Sequence, residues 1–146
     1  MNIDKLREEL KIDEGVKYEI YLDHLNLPTF GIGHLIRDTD MEYGQAVGTK
    51  VTEDRVNECF ASDTSSVLKD CETLFSSFYD LPEEVQLIIA NMMFNMGKPR
   101  LSGFKKFIAA IENEDWSVAA KEMINSRWYR QVTNRAERLV NRMRSI

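Results

Sequence analysis

The sequence predicts an α+β fold, in which a long helix joins a small antiparallel β-sheet lobe to a mainly α-helical lobe. The β signal is confined to residues 16–36, where apolar and polar residues alternate and turn residues cluster. Helical periodicity begins near residue 52 and continues almost to the C-terminus. We therefore expect a single domain, residues 1–146, with a small β lobe over about 14–52 and a helical lobe over about 74–146 plus the N-terminal helix 2–13.

The N-terminal helix carries a carboxylate on its apolar face. Its inward stripe is marked by Ile3, Leu6 and Leu10. The next position on this stripe is Glu14, and Gly15 follows as a left-handed helix stop. Burial and the negative end of the helix dipole both disfavour an ionised carboxylate there, and a carboxyl group that stays protonated suits a general acid. The alternative at this point is a helix-end glutamate that turns out to solvent.

Two segments after this helix predict strands. Val16, Tyr18 and Ile20 alternate with charged residues, which is typical of a strand with one buried face. A turn-rich segment follows at 23–28, and residues 29–36, which include two glycines, predict another strand. Together these segments predict a small antiparallel hairpin or a three-stranded sheet.

The remainder of the chain predicts helices. Thr52 is expected to cap a long helix whose apolar face includes Cys59 and Cys71. A rise of about 18 Å would separate these two cysteines along the helix, which is too far for a disulfide, so both are predicted to be buried thiols. Pro82 is expected to open a second helix, which is apolar nearly all round and should be the buried centre of the helical lobe until Gly97 ends it.

Shorter helices complete the predicted helical lobe. Ser102 and Asp115 are expected to cap two of them. The last helix is predicted to run from about Thr133 to Arg144. Trp128 is expected to pack in the core.

The charge pattern restricts the partners. The net charge is -5, but residues 1–114 carry 12 Lys+Arg against 21 Asp+Glu, whereas residues 115–146 carry 7 against 3. The negative net charge of the chain disfavours nucleic acid as a partner. The sequence has no segment of membrane-spanning length and no signal peptide, so we expect no stable membrane insertion and accumulation in a cytoplasm.

Several kinds of chemistry find no support in the sequence. The two histidines and two cysteines show no zinc-ligand spacing, so no metal site is predicted. No serine lies in a strand-turn-helix elbow, which argues against a nucleophilic triad. Gly31 and Gly33 lack the third glycine and the helix start of a dinucleotide loop, so we predict no cofactor.

A pair of carboxylates remains. A turn that returns the chain would bring Asp23 and Thr29 to the same side, with Glu14 at the preceding helix end. Hydrolysis of a glycosidic bond needs one protonated carboxyl group to donate to the leaving oxygen and one ionised carboxylate to assist water or the sugar cation. Asp23, in a solvated turn, is expected to remain ionised.

Three segments then carry a resemblance to a known family. They are Ile-Asp-Glu-Gly at 12–15, Tyr-Leu-Asp at 21–23 and Pro-Thr-Phe-Gly-Ile-Gly-His-Leu at 28–35. Together they resemble the catalytic signature of the phage-type lysozymes, glycoside hydrolase family 24. Further segments resemble the helices of the same family, at 91–97, 126–131 and 134–136. The resemblance covers most of the chain and implies a lysozyme-like fold.

The resemblance implies a muramidase that cuts the β-1,4 bond between N-acetylmuramic acid and N-acetylglucosamine in bacterial peptidoglycan, with inversion. At the matching positions, Glu14 is the general acid, Asp23 is the base or electrostatic partner, and Thr29 helps to hold the attacking water.

The resemblance also implies supporting and substrate-binding residues. His34 matches a structural histidine, whereas Leu35 and Phe94 match positions that line the saccharide cleft. Arg135 matches an arginine that pairs with the catalytic glutamate. Such a pair would favour the ionised form of that glutamate and oppose the effect of burial.

The favoured hypothesis is a monomeric endolysin that accumulates in the host cytoplasm and lyses the bacterial host from the periplasm or cell wall. Without an export signal of its own, it would depend on a holin-type pore. One alternative is a lytic transglycosylase on the same fold, against which Asp23 and Thr29 argue because the resemblance assigns them to holding water. Another is a silent wall-binding domain, or a lysozyme module in a tail or defence setting.

Overall fold

The computed structural model describes all 146 residues and contains seven α-helices, one short 3-10 helix and one three-stranded sheet. The predicted α+β class is confirmed. The elements in chain order are α1 (Ile3–Glu14), β1 (Lys17–Leu22), β2 (Pro28–Gly31), β3 (His34–Leu35), α2 (Glu53–Leu74), the 3-10 helix (Phe78–Asp80), α3 (Glu83–Leu101), α4 (Lys105–Glu112), α5 (Trp116–Ile124), α6 (Arg127–Gln131) and α7 (Thr133–Arg144).

The chain forms two compact units. The sheet unit is Arg7–Ser66, and the helical unit comprises Met1–Leu6 together with Val67–Ile146. α1 and α2 each contribute residues to both units. The sequence had placed the whole N-terminal helix, residues 2–13, with the helical lobe, whereas residues 7–13 group with the sheet.

α1 ends where the sequence predicted. Leu6 and Leu10 are fully buried, and Glu14 is the last helical residue. Gly15 adopts a φ of 75°, and its N–H donates to the carbonyl of Lys11 at 2.9 Å. A side chain is rarely accommodated at this φ, so glycine is the residue that can close the helix in this way.

The sheet has the strand order β1-β2-β3, and both pairs are antiparallel. The three-stranded alternative is therefore confirmed, but the prediction of one continuous strand over 29–36 is wrong. Gly31 and Gly33 have φ values of 65° and 62°, and the turn that they flank divides the segment into β2 and β3. These left-handed conformations reverse the chain within two residues.

The prediction of one buried face on β1 is also wrong. Ile20 is buried, but Tyr18 is 47% exposed and Val16 is exposed as well. The pairing of β1 with β2 contains an irregularity between Lys17 and Tyr21, which disrupts regular alternation. The other edge of β1 is covered by backbone, since Ile20 N–H donates to Thr49 O at 2.9 Å.

α2 begins with the predicted cap. The N–H of Arg55 donates to the Thr52 hydroxyl oxygen at 3.1 Å, and Thr52 precedes the first helical residue. Cys59 and Cys71 are buried free thiols, as predicted. Burial raises the pKa of Cys59 to about 11 and that of Cys71 to about 12. Both side chains therefore serve as small apolar groups in the core.

α3 is the buried helix of the helical unit. Every residue from 85 to 93 is buried, in agreement with its apolar sequence. Gly97, with φ 79° and ψ 161°, breaks the helix at the predicted position, and a short helical turn follows it. No helix in the protein is both long and apolar enough to cross a membrane.

One of the two predicted caps in the helical unit is wrong. The Ser102 hydroxyl donates to the carbonyl of Pro99, at the end of α3, and α4 begins only after Phe104. Asp115 does cap α5, because its Oδ1 accepts from the N–H of Val118 at 3.2 Å. The last helix, α7, has the predicted bounds.

The tryptophan expected in the core is buried. Trp128 is 1% exposed, and its Nε1–H donates to Asn95 Oδ1 at 2.7 Å. This bond satisfies the one polar atom that the indole brings into the interior.

Candidate active site

Glu14 is partly buried at the end of α1 and lies against the turn between β2 and β3. A Cβ atom placed on Gly33 would lie 2.6 Å from Glu14 Oε1. The carboxyl group therefore occupies the space that a side chain at position 33 would otherwise fill. The Glu14 side chain therefore packs against this turn, although it remains partly exposed.

The Asp23 carboxylate is held by the backbone of the turn that it begins. Its Oδ1 accepts from the N–H of Leu25 at 2.8 Å and from the N–H of Leu27 at 2.9 Å. The turn closes through Asn26, which has a φ of 60° and donates its N–H to the carbonyl of Asp23 at 2.9 Å. Asparagine tolerates this left-handed conformation better than most residues. One carboxylate oxygen is thus fixed, whereas Oδ2 makes no hydrogen bond within the protein.

Thr29 is 3% exposed and lies on β2, paired across the sheet with Tyr21. Its hydroxyl donates to the carbonyl of Leu27 at 2.9 Å. The hydroxyl proton is thereby used, so the oxygen can only accept a hydrogen bond from a further group such as water. The backbone of Leu27 donates to Asp23 and accepts from Thr29, and it therefore holds the two side chains in one arrangement.

Tyr21 belongs to the same group of residues, and the sequence assigned it no role. Burial raises the pKa of Tyr21, and the charges of Glu14 and Asp23 raise it further. The phenol therefore stays protonated near both carboxyl groups. Its ring also lies 4.3 Å from Lys17 Nζ. The available signal in the sequence was its position two residues before Asp23, where strand geometry places side chains on the same face.

His34 is 7% exposed, and each of its ring nitrogens contacts a carboxylate. Nδ1 lies 2.6 Å from Asp63 Oδ2, and Nε2 lies 2.9 Å from Asp40 Oδ2. Burial lowers the pKa of His34, but the hydrogen bonds to Asp63 and Asp40 outweigh burial, so the pKa is raised. The sequence singled out the histidine but neither acidic partner.

The network extends from Asp40 to Arg55. The N–H of Arg37 and the guanidinium of Arg55 both donate to Asp40. Burial raises the pKa of Asp40, but these groups and His34 outweigh it, so the pKa is lowered. Arg55 also donates to both carboxylate oxygens of the buried Glu42, at 2.8 and 2.9 Å. Paired groups of this kind make the loop between β3 and α2 a fixed part of the sheet unit.

Comparison with known proteins identifies the family. Residues 11–145 match the sequence model of the family described as Phage lysozyme. This chain belongs to the phage lysozyme family. The resemblance carried by the three sequence segments is thereby confirmed, as is the lysozyme-like α+β fold.

Individual relatives cover nearly the whole chain. The chain is 34% identical over 158 residues to Probable T4-type lysozyme 1 of Dictyostelium discoideum, covering 95% of this chain and 93% of that protein. It is 29% identical to Peptidoglycan hydrolase gp36 of Pseudomonas phage phiKMV, over 94% of this chain and 15% of that protein. It is 26% identical to Pre-baseplate central spike protein Gp5 of Enterobacteria phage T4, over 92% of this chain and 26% of that protein.

Five of the residues predicted from the phage lysozyme signature lie in the sheet unit, namely Glu14, Asp23, Thr29, His34 and Leu35. Leu35 is the cross-strand partner of Thr29, and its side chain is 44% exposed. Its predicted contact with a saccharide stays a prediction.

The other two predicted residues lie in the helical unit. Phe94 is a partly buried residue of α3. Arg135, on α7, is 9% exposed, and its Nε donates to Asn91 Oδ1 at 2.9 Å. The pairing of α3 with α7 thus holds Arg135 in place. Its predicted pairing with the catalytic glutamate stays a prediction.

No group of three or more His, Cys, Asp or Glu side chains in the structure is arranged to hold a metal ion.

Proposed function

We propose that this protein is a muramidase that cuts the β-1,4 bond between N-acetylmuramic acid and N-acetylglucosamine with inversion. Membership of the phage lysozyme family makes it a peptidoglycan hydrolase, and one relative carries that activity in its name. The finer proposal rests chiefly on one observation: Asp23 and Thr29 are held by the backbone of a single residue, Leu27, in the same unit as Glu14.

In the proposed reaction, Glu14 is the general acid. It donates its proton to the glycosidic oxygen as the bond to the anomeric carbon breaks, so the leaving sugar departs as a neutral alcohol. Glu14 lies partly buried at the end of α1 and against the β2–β3 turn, and this placement supports the role.

Asp23 and Thr29 act on the water. The Thr29 oxygen accepts a hydrogen bond from the water because its own proton is donated to Leu27. The other proton of the water is transferred to Oδ2 of Asp23, the carboxylate oxygen that the turn leaves without a partner. The water oxygen then attacks the anomeric carbon from the face opposite the leaving group, which inverts the configuration.

Glu14→Gln tests the role of the acid. The variant is expected to fold normally and to lose at least about 100-fold in the rate of hydrolysis of purified peptidoglycan, since general acid catalysis contributes roughly 10²–10⁴-fold. Glu8→Gln, an exposed change on the same helix, is the matched control. A Glu14→Gln variant that keeps the rate of the Glu8→Gln control would exclude Glu14 as the acid.

Product analysis distinguishes the proposed hydrolysis from the transglycosylase alternative. NMR of freshly cleaved fragments is expected to show the inverted anomer at the new reducing end. A 1,6-anhydro-muramic acid product would instead establish intramolecular attack by the sugar, without water. Asp23→Asn and Thr29→Val are each expected to lower the yield of the inverted product, because Asp23 and Thr29 act on the same water.

We further propose that the protein acts as an endolysin. In this proposal it accumulates as a monomer in the host cytoplasm and reaches the peptidoglycan through a holin-type pore. Expression in a bacterium with and without a pore-forming protein tests this, since lysis is expected only when both are present. Lysis by the protein alone would contradict the proposed dependence on a pore.

A virion-associated setting is the second candidate. It is favoured by the match to the T4 spike protein Gp5, in which the aligned region makes up 26% of the length of that protein. Mass spectrometry of purified virions distinguishes the two settings, because a free endolysin is expected to be absent from washed particles.

A further inference from the structure

We propose that Gly33 is a positioning residue for the carboxyl group of Glu14, because the absence of a side chain at position 33 creates the space in which that carboxyl group is held. The inference rests on the proposed function only in taking Glu14 as the acid. The contact between the two residues can be tested without any enzyme assay.

The contact involves the whole end of the Glu14 side chain. A Cβ atom on Gly33 would lie 2.6 Å from Oε1, 3.1 Å from Cδ and 3.3 Å from Cγ of Glu14. Carbon and oxygen atoms that are not bonded do not approach to 2.6 Å without strong repulsion. A methyl group at position 33 and the present position of the carboxyl group therefore exclude each other.

The turn that carries Gly33 is not free to move away from such a methyl group. Ile32, on one side, is 2% exposed. His34, on the other side, is 7% exposed, pairs with Phe30 across the hairpin and holds two carboxylates through its ring. Because both neighbours are buried and His34 is also hydrogen-bonded, the side chain of Glu14 is the part that would have to shift.

This arrangement connects Glu14 to the buried network that His34 forms with Asp63 and Asp40. The network fixes the β2–β3 turn, the turn presents a surface without a side chain, and the Glu14 carboxyl group rests on that surface. Displacement of a reacting group by about 1 Å can lower a rate by roughly 100-fold. Gly33 is thus required for the position of the acid as well as for the turn.

The left-handed backbone of Gly33 complicates a simple substitution, because any side chain at a φ of 62° introduces strain. Gly44 provides the matched control. It has a φ of 82°, yet nothing lies within 4 Å of a Cβ atom built on it. Gly44→Ala therefore measures the backbone strain alone, whereas Gly33→Ala measures the strain together with the contact to Glu14.

The first experiment is a double-mutant cycle on stability. Urea midpoints are measured for the wild type, Gly33→Ala, Glu14→Ala and the double variant, with Gly44→Ala in both backgrounds as the control. Gly33→Ala is expected to lower the midpoint more in the wild type than in the Glu14→Ala background, where the obstructing side chain is gone. Gly44→Ala should lower it equally in both. An equal effect of Gly33→Ala in the two backgrounds would overturn the proposal.

The second experiment measures peptidoglycan hydrolysis. Gly33→Ala is expected to lower kcat by about 100-fold with KM changed by less than about threefold, whereas Gly44→Ala keeps the wild-type kcat. Glu14→Asp, which retracts the carboxyl group by one methylene, should lose less kcat from the Gly33→Ala change than the wild type does. A Gly33→Ala variant with wild-type kcat would overturn the positioning role.

The two proposals fail in different ways. If the wild-type protein does not hydrolyse peptidoglycan, the proposed function fails, but the stability cycle still decides whether Gly33 holds Glu14. If the wild type is active and the cycle shows no coupling, the inference about Gly33 fails alone.

Discussion

The ion pair between His34 and Asp63 leads to a prediction for the stability of the sheet unit. The two groups are 2.6 Å apart, and their side chains are only 8% and 17% exposed. Asp63 makes no other hydrogen bond, whereas Asp40 also binds Arg37 and Arg55. Asp63→Asn is therefore the cleaner change, since it removes one charge from the pair and keeps the shape of the side chain.

The size of the effect follows from the contact. A hydrogen bond to a charged group contributes about 1.5–3 kcal/mol, and burial shields this pair from solvent. For a protein of this length, 1 kcal/mol corresponds to about 2–4 °C in Tm. We therefore expect Asp63→Asn to lower the free energy of unfolding by about 1.5–3 kcal/mol at pH 5.5.

The direction of the pH dependence follows from the raised pKa of His34. The stabilisation from its charged form is fully present below its ordinary pKa of 6.5 and is lost as the pH rises through the raised pKa of the folded state. The lowered pKa of Asp40 affects stability at the acidic end of the pH range. Its contribution is present above the ordinary pKa of 3.8 and is lost as the pH falls through the lowered value. The network is thus most stabilising between pH 3.8 and 6.5.

The assay is urea unfolding at a series of pH values from 5 to about 9, the upper limit being well above the ordinary histidine pKa. Wild type is expected to lose stability as the pH rises above 6.5, and Asp63→Asn to lose less, so that the two curves converge. Asp38→Asn, an exposed change of the same charge, is the control. A difference between wild type and Asp63→Asn that is the same at both ends of the pH range would refute the reasoning.

Two further predictions concern buried groups. Trp128→Phe should lower the free energy of unfolding by about 1–3 kcal/mol, because Asn95 loses its hydrogen bond from the indole N–H. Thermal unfolding measures this loss. Trp116→Phe is the control, since Trp116 makes no such hydrogen bond. Equal losses for the two variants would contradict it. Cys59 and Cys71 should react with a thiol reagent at pH 8 only after unfolding, because burial raises their pKa values to about 11 and about 12. Rapid labelling of both thiols in the native protein would show that the helix opens.

Features that depend on neighbours in the chain could be predicted from the sequence. Gly15 ends α1, Thr52 caps α2 and Gly97 breaks α3 at the expected positions, because helix ends are set by φ and by hydrogen bonds within one turn. α7 has the predicted bounds for the same reason.

Features that depend on distant partners could not be predicted in the same way. The exposed Tyr18 follows from an irregular pairing of β1 with β2, which is a property of two strands. Ser102 has the residue type of a helix cap, but the preceding turn takes its hydroxyl. Asp63 is 29 residues away from His34, so no local pattern connects them.

The sequence alone determined the α+β class, the bounds of α7, the end of α1 and the starts of α2 and α5, and, through the motif at 12–35, membership of the phage lysozyme family. It also named the candidate residues Glu14, Asp23 and Thr29. The tertiary structure decided how they are held: Leu27 binds Asp23 and Thr29, and Gly33 makes room for Glu14. Residue type and spacing indicate which chemistry is available, whereas the orientation of a carboxyl group depends on contacts between segments that only folding brings together.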